Sequence, residues 1–208
     1  MKYPIHLAAI AATNKRVCDT SERVLTGIGL FKLTIEKQGL TRSEVRTITD
    51  LETADDAKAW LAQQIDAPSH LFICDGQVNV LSLLGLDPGT SSVALNAEGK
   101  LAIIHAGDSQ WVSQFSLAPL AALLGIHAVD LAAPGPVAGL ADEQVHHAVL
   151  RINAVATGLI WLTLMSSYFE ADAPSTKALI PPQLAADFKT VSHLLFNDSC
   201  YNETGDAA

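Results

Sequence analysis

The sequence predicts a mixed α/β fold in which an antiparallel three-strand meander continues into parallel strands and helices cover the flanks. Three observations predict it. The N-terminal segments alternate apolar and polar residues on either side of a turn, as paired strands do. After residue 50 the apolar period lengthens to that of a helix, and a short apolar run then follows, as in a crossover to a further strand. Downstream, Asp142 to Phe169 has the length and apolar density of a buried helix.

Taken in order, Ile5 to Ala12 is small and apolar and is expected to be the first strand, and Val24 to Glu36 alternates at its end as a half-buried second strand does. Lys37-Gln38-Gly39 makes a hairpin turn into Ser43 to Thr49, a β-branched third strand. Leu51, Ala54, Ala57, Leu61 and Ile65 recur at helical spacing, so Asp50 to Ile65 is predicted helical, with Thr49 or Asp50 as its cap. Pro68 closes that helix, and His70 to Cys74 follows as a buried central strand. A helix is expected from Gln77 to Gly85. Between Asp87 and Gly107 the turns and the runs SSVAL and KLAIIHA suggest an inserted hairpin.

The remaining elements are helical. Ser116 to Leu124 is a capped helix stopped by Gly125, and Ala132 to Gly139, rich in proline and glycine, is a loop. The long helix from Asp142 to Phe169 is expected to bend near Gly158. A last helix spans Pro182 to about Phe196, and residues 197–208 form a disordered tail. Residues 1–196 are accordingly expected to make one domain, with an inserted hairpin at about 87–107.

Composition bounds the function. In 208 residues, 49% are apolar and 17% charged, a balance that favours a packed core. The opening MKYPIHLAAIAATNKR is interrupted by His6 and runs into Asn14, Lys15 and Arg16, which suits a strand better than a secretory signal. The longest apolar stretch, Ala154 to Met165, is short for a bilayer, so no membrane span is expected. Cys18, Cys74 and Cys200 form no CxxC pair and fit thiols in a reducing cytoplasm. A net charge of −9 disfavours a nucleic-acid backbone as partner unless a local basic patch opposes the overall field.

Several segments resemble a known family. Ala8-Ala9-Ile10-Ala11-Ala12 stands where its first strand carries F-D-I-E-T. Asp75-Gly76-Gln77-Val78-Asn79-Val80-Leu81-Ser82-Leu83 stands where it reads N-G-x-x-F-D-x-P-x-L, and Val149 to Thr157 where it reads Y-C-x-x-D-V-x-x-T. Ser116 to Gly125 matches its S-L-x-x-L-A-x-x-L-G element. From about His6 to Met165 the chain is thus similar to predicted 3′-5′ exonucleases related to the proofreading domain of family B DNA polymerases, in the DEDD group. The resemblance implies a ribonuclease H-like fold.

The departures are chemical. In that family four carboxylates hold two Mg²⁺ or Mn²⁺ ions that activate water and stabilise the leaving oxygen. At the matching positions this chain has Ala9, Ala11, Asn79 and Asn153, with Val149 where the family has its catalytic tyrosine. A vestigial site is the resulting expectation: a pseudoenzyme with no cofactor, acting by protein interaction or homodimerisation. One alternative is an active exonuclease that binds Mg²⁺ or Mn²⁺ through displaced acids, Asp75, Asp108, Asp130 or Glu143. Others are a non-catalytic nucleic-acid binder and an unrelated α/β protein with a small-molecule pocket.

Other candidates have simpler readings. Asn79 and Asn153 could bind a polar ligand across the old cleft or be satisfied core or surface amides. His146 and His147 point about 100° apart on a helix, so they cannot share a ligand, and both are expected to face solvent. Asp75, Asp108 and Asp130 suit turns and caps. Trp60 and Trp161 fit apolar core, Trp111 could stack a base, and Arg42, Arg46 and Arg151 are too scattered for a phosphate groove.

Overall fold

The computed structural model describes residues 4–16, 23–37, 39–65, 69–73, 84, 93–94, 101–104, 117–129, 142–165 and 180–196. The fold is mixed α/β: a three-strand antiparallel sheet flanked by helices. Its strands are β1 (Ile5–Arg16), β2 (Arg23–Glu36) and β3 (Gly39–Thr49). β4 (Ser69–Ile73), β5 (Val93–Ala94) and β6 (Leu101–Ile104) extend it, in the order β3-β2-β1-β4-β6-β5. β4 runs beside β1 in the same direction, from Leu7 opposite His70 to Ile10 opposite Ile73. The helices are α1 (Ala54–Gln64), α2 (Leu117–Leu123), α3 (Glu143–Met165) and α4 (Leu184–Phe196).

Because successive side chains on a strand point to opposite faces, the near-continuous apolar run of β1 is buried on both sides. Ile5, Leu7, Ala9 and Ala11 join Phe31, Leu33 and Ile35 of β2 under α3, while Ala8 and Ile10 join Ile28 and Leu30 under α1. Trp161 lies in the first of these clusters and Trp60 packs against the second, as their apolar contexts suggested.

Four local expectations need correction. α1 is capped by Thr53, not by Thr49 or Asp50: the Thr53 hydroxyl accepts from the Asp56 amide while the Asp56 carboxylate accepts from the Thr53 amide. That reciprocal box satisfies two otherwise orphaned donors and sets the start. Asp50 instead turns the chain out of β3 with φ at +56°, a conformation aspartate tolerates better than most residues. α4 begins at Leu184, after a turn at Pro182 and Gln183.

The third correction concerns Gly158. α3 runs unbroken through it, and its missing side chain serves packing: a Cβ there would lie 2.4 Å from Cδ1 of Phe31. The fourth concerns the two histidines, described below. Gly125 does end its helix as expected. At φ +69° it lets Ile126 donate to the Ala121 carbonyl and Gly125 to that of Ala122, closing the helix end. The expected helix at Gln77 to Gly85 (Leu84 apart), the loop 132–139, the segment 166–169, the tail 197–208, Trp111 and the three cysteines lie outside the described residues.

Candidate functional site

Of the positions where the resemblance would place catalytic residues, Ala9, Ala11 and Val149 lie in one buried cluster. Ala9 and Ala11 sit on the face of β1 turned toward α3, opposite Phe31 and Gly29 of β2. Val149, on α3, belongs to the same cluster, and Asn153 one turn further on is also buried. α3 is seated directly on the sheet. A Cβ at Gly29 would fall 2.3 Å from the Leu150 carbonyl oxygen, and one at Gly158 would touch the Ala9 methyl at 3.4 Å. Glycine and alanine at these places let helix and strands approach to backbone contact. Asn79, Asp75, Asp108 and Asp130 lie outside the described residues.

The Asn153 amide is occupied by the chain itself. Its Oδ1 accepts from the Val129 amide at 2.8 Å and its Nδ2 donates to the Val129 carbonyl at 3.1 Å. It thereby ties the segment after α2 onto α3, as a neighbouring strand would. Such a pairing needs one donor and one acceptor on the same planar group, which an amide offers without taking up a proton.

His146 does not face solvent, and His147 is only partly exposed. The His146 ring is buried, with Nε2 2.6 Å from the Thr13 hydroxyl, which in turn accepts from Thr26 at 3.1 Å. Gly27 leaves room for that ring. Burial is the main reason His146 binds a proton less readily than an ordinary histidine; neighbouring His147 adds to this, and Asp50 opposes it. His147 turns to β3, with Nδ1 2.7 Å from Thr47, Nε2 3.4 Å from Thr49 and Glu143 at 3.7 Å. The rings therefore reach different strands, as their angular separation requires. A hydroxyl beside an imidazole is the beginning of a nucleophile and base pair, but Thr13 is 1% exposed and no substrate can reach it.

Comparison of the chain with protein-family models, with curated proteins and with solved structures gives no match.

Several charged residues elsewhere pair with each other. Arg151 grips the buried carboxylate of Asp187 with two hydrogen bonds, of 2.8 and 2.6 Å, clamping α3 to α4. On the opposite face of the sheet, Lys32 pairs with Glu44 at 3.2 Å, and Arg46 contacts both Glu44 and Gln64. Burial alone would raise the Glu44 carboxyl, but its hydrogen bonds from Arg46 and Lys32 outweigh that and hold it below the usual carboxylate range. Among the described residues, no three His, Cys, Asp or Glu side chains gather as a metal ion would need. α3 is long and apolar enough to cross a membrane by length and composition, and 78% of that window is buried within the fold, as in the core helix of a soluble protein.

Proposed function

We propose that this chain is a catalytically silent ribonuclease H-like domain, related to 3′-5′ exonucleases of the family B polymerase proofreading group, that works by protein interaction or dimerisation. The sheet order supports the fold reading: a β3-β2-β1 meander, β4 alongside β1, and helices on both faces. One observation carries the functional reading. α3 lies in contact with β1 and β2 at Gly29, Ala9 and Gly158, so the space beside Ala9 and Ala11 is filled by helix. Two hydrated divalent ions with a phosphodiester need an open, anionic cleft at that place.

The acidic balance of the chain, −9, argues in the same direction, because a strand of nucleic acid would be repelled on approach. The test is direct. Titration of the protein with Mn²⁺ should give no heat of binding, and a labelled DNA single strand should stay intact with Mg²⁺ or Mn²⁺ across a pH series. Two tight Mn²⁺ sites together with strand shortening would overturn the proposal.

A further inference from the structure

β3 ends the sheet order, and among the described residues nothing pairs with its outer side. An open edge of this kind offers a row of backbone donors and acceptors to another strand. Charges usually guard such edges against self-association, and here Arg42, Glu44 and Arg46 alternate along one face. Their order makes the guard selective. A two-fold pairing centred on Glu44 would set Glu44 against Glu44 and Arg42 against Arg46, which is repulsive. Centred on Val45, it sets Glu44 against the partner's Arg46 and Arg46 against the partner's Glu44.

The backbone selects the same register. The pairing of β3 with β2 shifts between Thr34 and Ile35, whose partners are Arg42 and Leu40, so Thr41 is the extra residue of a bulge. From Arg42 to Thr49 the strand is regular. Centring on Val45 pairs Arg42 with Ile48, Ser43 with Thr47 and Glu44 with Arg46, all inside the regular stretch. Centring on Ser43, the other arrangement that matches charges, would run across the bulge, where the ladder is broken.

We infer that the chain forms a two-fold dimer by antiparallel pairing of β3 with β3 of a second copy, centred on Val45, giving one continuous sheet across both copies. The contact is isologous, so it closes on itself and does not propagate. Arg46 is 51% exposed and Glu44 26%, so both side chains reach solvent beside their contacts within the chain. This deepens the proposed role by naming the partner; it rests on that reading for its purpose and not for its geometry.

Sedimentation of the 208-residue chain should show a dimer. Arg46→Glu, a change at a half-exposed side chain, and Glu44→Arg should each weaken it at least about tenfold, because each turns both cross-strand pairs repulsive. Mixing the two variants should restore association, since one copy then presents acids at both positions of the pair and the other presents bases at both. Thermal melts of each variant check that it is folded. A monomeric native protein, a dimer indifferent to Arg46→Glu, or a mixture of folded variants that stays monomeric overturns the inference. Mn²⁺ binding with DNA digestion would instead overturn catalytic silence and leave this result standing.

Discussion

Asn153 does something at its position that an ionised aspartate could not. One oxygen of an aspartate could still accept from the Val129 amide, but the other would face the Val129 carbonyl oxygen where Nδ2 now donates at 3.1 Å. Two acceptors would then meet in a buried site, or the acid would have to take up a proton. Asn153→Asp should therefore destabilise the fold by about 1–3 kcal/mol, seen as a lower urea midpoint at unchanged slope. It should confer no metal-dependent digestion. A variant as stable as the parent and active on DNA would refute both this and the proposed silence. At this scale the sequence was partly legible: with Ile5 to Ala12 read as a strand, Ala9 and Ala11, two residues apart, fall on one face. The burial of His146 was hidden because its hydroxyl partner, Thr13, is 133 residues away. The only available signal was Thr13 standing on a strand face otherwise filled by Ile5, Leu7, Ala9 and Ala11.

Among the elements, the seat of α3 on the sheet is the feature most exposed to small changes. Gly158→Ala would gain about 1 kcal/mol of helix propensity. Against this, the new methyl would stand 2.4 Å from the Phe31 ring, and overpacking a core costs about 1–3 kcal/mol. The loss should win. Gly29→Ala should be worse, because its nearest contact is the Leu150 backbone oxygen at 2.3 Å, which cannot rotate away. Urea unfolding of both variants checks the sign and the order; a stabilised Gly158→Ala would mean that α3 sits further from the sheet. The strands of the meander and the existence of α1 and α3 were readable, because periodicity is a property of one segment. What faces Gly158 is not, so a residue that admits a neighbour reads as a bend. The start of α1 moved for a related reason: several residues before it could cap, and only the Thr53–Asp56 reciprocity decides among them.

For the molecule as a whole, acid acts, among the described residues, through two groups whose effects have the same sign. The folded-state pKa of His146 lies below its ordinary value of 6.5, so the unfolded chain takes up the proton first. The stability it contributes is full above that value and is lost as pH falls through it toward the lowered one. Glu44, held below its ordinary 4.5, adds a second loss further down, as its folded form is protonated last. A third effect opposes both: with a net charge of −9 at neutral pH, partial protonation relieves self-repulsion. The measured curve from pH 8 to 5 is therefore a sum whose parts need separating. His146→Gln does this, because it keeps a side chain able to meet Thr13 but removes the titration, while the charge background is nearly common to both proteins. The urea midpoint of the native protein should fall relative to that of His146→Gln between pH 7 and 5. Parallel curves would show that the His146 ring keeps its ordinary proton affinity in the folded chain and that α3 is not held to β1 by a neutral imidazole.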